Sequence, residues 1–257
     1  MVLVSIALSA EAQSTRSNLE GMWSDPPATV VGNFCFFQCT DVGIERLNKL
    51  LDDPANDSRP VTQLIQEAKQ FERNYLRGKL TPAALKIYPL DPLKDPGYLQ
   101  CEPWGLARQM FAPHQLELRL RGKDQVELHY GEWTARRTVY LDRKIPVDLK
   151  PTRMGYSVGH WEGETLVVET AGIAANIAEW PLTADAATRH TDQLRTTERF
   201  TRSADGKTLM LTATLEDPGS LTEPVVLKKM WNWAPEQKIA PYDSCERPTA
   251  SRKGAKP

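Results

Sequence analysis

The sequence lacks several features that would place it in a familiar functional class. Its 257 residues carry 32 Lys and Arg against 33 Asp and Glu, so there is no excess of positive charge to bind phosphate backbones. No apolar run reaches the roughly 18 residues that a membrane-spanning helix needs. The chain has no Walker loop, Gly-x-Ser-x-Gly elbow, His-Glu-x-x-His helix or glycine-rich dinucleotide motif. These absences argue against a nucleic-acid binder, a membrane-embedded protein and the enzymes that carry those signatures, and we expect no cofactor.

Cysteine is also scarce, with four residues at positions 35, 39, 101 and 245. Four cysteines allow three pairings, of which Cys35–Cys39 with Cys101–Cys245 is the most natural. The second bridge would close a long loop and contribute about 3–5 kcal/mol in the chain-entropy model. A metal site is the competing interpretation, but the Cys-x3-Cys spacing has no second Cys or His pair to complete it. We therefore predict disulfides, which are typical of an oxidising compartment, and no metal.

The first residues favour export. An apolar run over residues 2–8 precedes Ala10-Glu11-Ala12, which matches the small-x-small cleavage pattern of a secretory signal. The usual positive charge before the apolar run is missing, so an N-terminal strand is the alternative. We predict a signal-peptide remnant at 1–12, one domain at 13–247 and a disordered tail at 248–257, in a periplasmic or secreted protein.

Hydrophobic periodicity divides the domain into a helical part and a strand part. Residues 41–86 repeat apolar side chains at helical spacing and predict a small helical insertion. From Leu116 onward, apolar and polar residues alternate in short segments separated by turns, and Glu162-Gly163 suits a tight hairpin turn. The pattern predicts a mainly β fold: an antiparallel meander closing into a lipocalin-like barrel, with a sandwich as the alternative.

Two resemblances support export and a β-rich fold. Gly21-Met22-Trp23 resembles the Gly-x-Trp that begins many lipocalins. A broader set of motifs, from about residue 101 to 245, is similar to a large group of exported bacterial proteins that are mainly uncharacterised. The motifs are Gly-His-Trp-Glu-Gly-Glu-Thr-Leu-Val-Val-Glu-Thr at 159–170, Arg136-Arg137-x-x-Tyr140, His190-Thr191-Asp192 and Glu198-Arg199-Phe200. This resemblance implies an exported β-rich protein and supplies no reaction.

The candidate catalytic residues lie on predicted strands and on one polar loop. His190, paired with Asp192 or Glu198, could form an acid/base pair in which the carboxylate fixes the imidazole tautomer. His160 could be a general base if its strand face is the interior. The alternatives are an Asx-type turn with an exposed histidine at 190 and a hydrogen bond that only fixes the hairpin at 160.

Other polar and aromatic side chains could line a ligand pocket. A carboxylate at the end of an apolar strand is costly to bury unless it is paired, so Glu169 should have Arg137 or Arg199 as its partner. Packing and a structural ion pair remain the alternatives for these positions. The full set of predicted ligand-binding residues is Tyr130, Trp133, Arg137, Tyr140, Tyr156 and Glu169.

Two functions remain open from the sequence. The first is a cofactor-independent acid/base enzyme, such as a lyase, isomerase, cyclase or hydratase, acting on a small hydrophobic molecule of the terpenoid, polyketide or aromatic type. The second is a lipocalin-like carrier of such a molecule without catalysis. Excess ionisable residues on strands favour the enzyme, and the missing catalytic motifs favour the carrier. The oligomeric state is open, a homodimer being one option.

Overall fold

The computed structural model describes residues 19–90, 104–175, 178–183 and 186–240, with the backbone alone for 178–183 and 186–187. The predicted signal segment at 1–12 and the predicted tail at 248–257 lie outside the described residues. Cys101 and Cys245 also lie outside them, and so does their predicted bridge.

Strands are the commonest regular element of the described fold, as the alternating pattern predicts. They are β1 (Gly21–Ser24), β2 (Leu116–Arg121), β3 (Gln125–Tyr130), β4 (Arg136–Leu141), β5 (Tyr156–Glu162), β6 (Thr165–Ala171), β7 (Ala178–Thr183), β8 (Ala186–Arg189), β9 (Arg195–Arg202), β10 (Thr208–Glu216) and β11 (Val225–Trp233). The helices are α1 (Val30–Phe34), α2 (Asp41–Leu51), α3 (Val61–Arg77), α4 (Pro82–Leu85) and α5 (Leu106–Gln109). The predicted helical insertion at 41–86 corresponds to α2–α4, while α1 precedes it.

Nine strands form a closed barrel in the order β1-β11-β10-β9-β6-β5-β4-β3-β2, and β7 and β8 form a separate hairpin. The mainly β fold is therefore confirmed, and the barrel is preferred over the sandwich. One feature differs from the antiparallel meander: β4 and β5 pair in parallel. An odd number of strands cannot alternate in direction all the way round a closed barrel, so one parallel pair is required. Residues 142–155 make the crossover that this pair needs.

Strand alternation separates an apolar interior from a polar outer surface. Paired positions across neighbouring strands share a face, which puts Leu166, Phe200 and Leu211 in one interior row.

Two ends of the barrel can be distinguished. We use "lower end" for the end at which β3 finishes and β9 begins, and "upper end" for the other, where the β5–β6 hairpin turns at Gly163 with φ 59°.

The end of α3, α4 and α5 contribute to the main buried cluster of the barrel. The other helical segments, α1, α2 and the first part of α3, pack on the outside of β11. Their own buried cluster includes Phe34, Leu47 and Ala68, with Met230 of β11 packed against it. The backbone N–H of Cys39 donates to the carbonyl of Lys228 at 2.9 Å, and the N–H of Lys228 donates to the carbonyl of Cys39 at 2.7 Å. The predicted Cys35–Cys39 disulfide is present. Among the described residues, no helix is long and apolar enough to cross a membrane.

Candidate functional site in the barrel interior

A bidentate ion pair lies inside the barrel near its lower end. Arg137 of β4 donates from Nη1 and Nη2 to the two carboxylate oxygens of Glu198 on β9, at 2.7 and 2.6 Å. Both side chains are almost fully buried. Strand alternation explains their direction, since Arg137 lies opposite the core residue Leu128 and Glu198 lies opposite Val168. A charged group is tolerated in such an interior because its partner neutralises it.

Tyr130, at the end of β3, completes this cluster. Its ring centroid lies 6.0 Å from the Arg137 guanidinium carbon, and the side chain is buried. Within the described part of the chain, neither the Tyr130 hydroxyl nor Nε of Arg137 makes a well-formed hydrogen bond, although the hydroxyl lies close enough to the guanidinium to interact with it. A buried donor without an acceptor costs about 1–3 kcal/mol, so these two donors indicate a place for an acceptor.

The electrostatics keep both donors protonated. Burial raises the pKa of Tyr130 well above its ordinary value of 10.0. Burial opposes the charge on Arg137, but the Glu198 carboxylate and the Tyr130 hydroxyl outweigh it, so the guanidinium pKa is raised. At neutral pH Tyr130 is therefore a neutral hydrogen-bond donor, and the Arg137–Glu198 pair carries no net charge.

A row of hydroxyl groups borders the ion pair. Ser157, Thr170 and Thr196 are paired positions on β5, β6 and β9, and all three are buried. Ser157 and Thr170 share a hydrogen bond of 2.8 Å. Thr196 donates to Oε1 of Glu198 at 3.2 Å, which fixes the carboxylate from the side opposite Arg137's strand. The lower interior is therefore polar, whereas the upper interior is apolar.

The loop between β3 and β4 covers this end of the cluster. Trp133 and Thr134 both have left-handed backbone conformations, with φ of 58° and 47°. The indole of Trp133 packs edge-on against Trp104 at 5.8 Å, and Gln109 of α5 donates to the carbonyl of Glu132 at 3.0 Å. Non-glycine residues in this conformation are strained by about 1–3 kcal/mol each, so the surrounding contacts must hold the loop in place.

His190 is buried in a second loop at the lower end. Its Nδ1 lies 2.8 Å from the carbonyl oxygen of Thr191. Asp217 accepts from the backbone N–H of Thr191 at 2.7 Å and from its hydroxyl, which ties this loop to the β10–β11 connection. The carboxylate of Glu198, one of the two predicted partners of His190, is bonded to Arg137 and Thr196 instead.

Asp192, the other predicted partner, is exposed on the same loop. It lines an outer cleft of about 540 Å³ together with Arg195 and Glu216. The predicted acid/base residues therefore lie apart: His190 is in a buried loop, Asp192 is in an outer cleft and Glu198 is in the barrel interior.

His160 lies on the outer face of β5, because its neighbours Ser157 and Gly159 define the inner face. Nε2 of His160 is 3.1 Å from one oxygen of Glu162, and Arg199 donates to the other oxygen at 2.5 Å. All three side chains are about half exposed. His160, Glu162 and Arg199 therefore form a polar network on the barrel surface, at the β5–β6 hairpin that carries the 159–170 motif.

The remaining predicted ligand-binding residues also face outward. Tyr140 and Tyr156 stack with ring centroids 5.1 Å apart, and Arg143 lies over Tyr140. Glu169 is exposed on the outer face of β6, and the Arg137 that was expected to pair with it binds Glu198. Of the predicted ligand-binding set, Tyr130 and Arg137 are the two that lie in the interior cluster, with Trp133 in the loop that covers it.

Sequence reasoning missed Lys229, a fully buried cation on the inner face of β11. Its Nζ donates to the backbone carbonyls of Phe36, Phe37, Phe111 and Ala112 at 2.8–3.5 Å. These carbonyls belong to the segments that follow α1 and α5, so Lys229 ties both segments to β11. The alternation of Leu227, Lys229 and Trp231 in the sequence was the signal that could have found it.

The described residues contain no group of three or more His, Cys, Asp or Glu side chains that could hold a metal ion. Comparison of the chain with protein-family models, with curated proteins and with solved structures gave no match. The class that the fold defines is therefore a closed, mixed β-barrel with a polar cluster in its interior.

Proposed function

We propose that the protein binds a small, mostly apolar, neutral molecule inside the barrel, with an acceptor oxygen of the ligand at Tyr130 and Arg137. The observation that carries the proposal is the pair of buried donors, the Tyr130 hydroxyl and Nε of Arg137, which lack an acceptor among the described residues. A ligand carbonyl, ether or hydroxyl oxygen would satisfy them.

The charge of the cluster selects the kind of ligand. Because Glu198 already neutralises Arg137 through two hydrogen bonds, a ligand carboxylate would bring an uncompensated negative charge into the interior. The surrounding core of leucine, valine and phenylalanine side chains favours an apolar body. Terpenoid or aromatic ketones, ethers and alcohols fit both requirements.

The test uses the conservative variant Tyr130→Phe in the full chain. Removing an unpaired buried hydroxyl should stabilise the ligand-free protein, while removing a donor to the ligand should weaken binding about tenfold. The probe is β-ionone, an apolar ketone, compared with a hydrocarbon of the same ring skeleton. Binding is measured by calorimetry, and stability by urea unfolding.

The matched control is the double variant Arg137→Met/Glu198→Leu. Replacing both partners of a buried ion pair with apolar residues of similar size often preserves the fold, whereas removing one partner costs about 3–5 kcal/mol. The double variant should keep the hydrocarbon affinity and lose the preference for the ketone. Equal affinity of the wild type for both probes, with no effect of Tyr130→Phe, would refute the interior site.

An acid/base enzyme is the second candidate, favoured by the carboxylate of Glu198 in the same cluster as the protonated Tyr130. A ligand carbonyl polarised by Tyr130 and Arg137 would make its neighbouring C–H groups more acidic, and Glu198 could accept the proton. An isomerisation or elimination would follow. His190 and Asp192, at the lower end, remain proposed contributors to this chemistry.

Turnover of the molecule that copurifies with the protein, identified by mass spectrometry, distinguishes the enzyme from the carrier. Glu198→Gln should lower turnover by about 100-fold or more, a typical loss when a general base is removed. His160→Ala, on the outer surface, serves as the comparison and should leave turnover unchanged. Tight binding without conversion of the ligand would favour the carrier.

Export to the periplasm or the medium is also part of the proposal. Its support is the apolar segment at 2–8, the cleavage pattern that follows it and the Cys35–Cys39 disulfide, which suits an oxidising compartment. Cell fractionation with N-terminal sequencing of the mature chain tests it. A cytosolic protein that retains residues 1–12 would contradict the proposal.

A further inference from the structure

A second concave site lies outside the barrel, on the opposite face of the sheet from the interior ion pair. The outer face of β1–β3 and the segment 235–239 enclose a cleft of about 440 Å³. This volume is within the usual range for small-molecule sites. One side of the lining is apolar, with Met22, Trp233 and Ile239.

His129 is the unusual member of this lining. By strand alternation it points outward from β3, yet only 7% of its surface is exposed because the cleft walls cover it. Among the residues that the structure describes, neither ring nitrogen has a hydrogen-bond partner. A neutral imidazole has one N–H and one lone pair, so both need partners when the ring is buried.

Glu117 determines which nitrogen carries the proton. Its Oε2 lies 3.6 Å from Nδ1 of His129, and its Oε1 accepts from Nε of Arg119 at 2.6 Å. A carboxylate held at this position favours the tautomer with the proton on Nδ1, which leaves the lone pair on Nε2. Histidine–carboxylate pairs of this kind are often long before a ligand binds. The missing partner of Nε2 is therefore a donor.

The charges around the ring keep that lone pair available. Burial and the charge of Arg136 on β4 lower the pKa of His129 and outweigh the opposing effect of Glu117, so the imidazole is neutral at pH 7. Arg119 is paired with Glu117, which leaves Lys238 as an extra positive charge in the lining. An acidic hydroxyl suits this environment better than an ammonium group.

We propose that this outer cleft binds a small aromatic molecule that carries a hydroxyl group, with the O–H donating to Nε2 of His129 and the ring packing against Met22 and Ile239. The site lies on the opposite face of the sheet from the interior cluster. A phenol meets the requirements of shape, donor and charge together.

The experiment follows the histidine ring nitrogens by NMR in the full, ¹⁵N-labelled chain, which has four histidines. The probes are 4-fluorophenol and fluorobenzene, which share the ring and differ in the hydroxyl. We expect 4-fluorophenol to shift the signals of one histidine and to bind about tenfold more tightly than fluorobenzene. The shifted signals should disappear in His129→Phe, together with the preference for the phenol.

Two further variants keep the test decisive. Glu117→Gln weakens the control of the tautomer without removing the ring, and it should reduce the preference for 4-fluorophenol even if His129→Phe does not fold. His160→Ala, on the outer face of β5 and outside the cleft lining, is the control and should leave phenol binding and the shifted signals unchanged. Equal affinity for the two probes, shifts at a different histidine, or no shift at all would overturn the outer site while leaving the interior proposal intact.

Discussion

At the scale of single residues, Lys229 shows how burial changes ordinary chemistry. Burial lowers the pKa of its side chain from 10.5 to about 7, and the charge of Glu132 opposes the shift. The unfolded chain keeps the ordinary value, so between about pH 7 and pH 10.5 it binds this proton more tightly than the folded chain does. The contribution of Lys229 to the free energy of unfolding therefore increases as the pH rises through this interval.

We predict that raising the pH from about 7 to about 9.5 stabilises the wild type relative to Lys229→Met, whose side chain does not titrate. The measurement is the free energy of unfolding in urea for both proteins at several pH values. Using the difference between the two proteins cancels the contributions of all other titrating groups. A difference that does not change with pH would mean that the four carbonyls keep Lys229 charged throughout.

At the scale of elements, glycine at two positions decides how strands meet. Gly21 begins β1 with φ 133°, and a Cβ there would overlap the indole of Trp233 on the neighbouring β11. Gly163 turns the β5–β6 hairpin with φ 59°, but a Cβ there would have nothing within 4 Å. The same substitution therefore tests backbone strain alone at Gly163, and backbone strain together with a steric clash at Gly21, where β1 and β11 close the barrel.

We predict that Gly163→Ala costs about 1–2 kcal/mol of unfolding free energy from the left-handed conformation alone. Gly21→Ala should cost about 1–3 kcal/mol more, because φ 133° is essentially closed to residues with a Cβ and the added methyl group also displaces Trp233. Urea unfolding of the two variants measures both values. Equal losses would show that β1 and β11 can separate slightly without penalty.

At the scale of the whole molecule, the helical layer and the barrel should unfold as one unit. The backbone bonds between Cys39 and Lys228 and the packing of Met230 on the helical cluster connect them directly. Glu72 of α3 is fully buried and accepts from the backbone and hydroxyl of Thr40, at 2.5 and 2.8 Å, which fixes α3 to the start of α2. Loosening the helices should therefore also loosen the barrel.

The variant Leu47→Ala tests this coupling, with an expected loss of about 2–5 kcal/mol for a fully buried leucine. None of the seven tryptophans lies between residues 24 and 103, so their fluorescence reports mainly on the barrel, whereas circular dichroism at 222 nm reports on all helices. Both signals should shift to lower urea together. Val61→Ala, at an exposed position of α3, is the control and should shift neither signal. A circular dichroism transition that precedes the fluorescence transition would show a separate helical unit.

Local periodicity explains why much of the fold could be predicted from the sequence. Alternation predicted the strands from Leu116 onward and the Glu162-Gly163 turn, because side chains on opposite faces of a strand lie in different environments, the core and water. The parallel β4–β5 pair could not be predicted, since it depends on how nine strands close. Alternation places His129 on the outer face of β3, but only the tertiary structure buries it there, beside the segment 235–239.

The candidate site divides in the same way. Tyr130, Arg137 and Glu198 were recognisable from the sequence as polar residues at strand positions, but strand pairing was unknown, so Arg137 or Arg199 was expected beside Glu169, and Asp192 or Glu198 beside His190. The sequence by itself determined most of the barrel strands from Leu116 onward, the helices within 41–86 and which residues of a strand share a face, because those follow from neighbours along the chain. Only the tertiary structure decided which face is interior and which charges meet, because barrel closure brings together residues far apart in the chain.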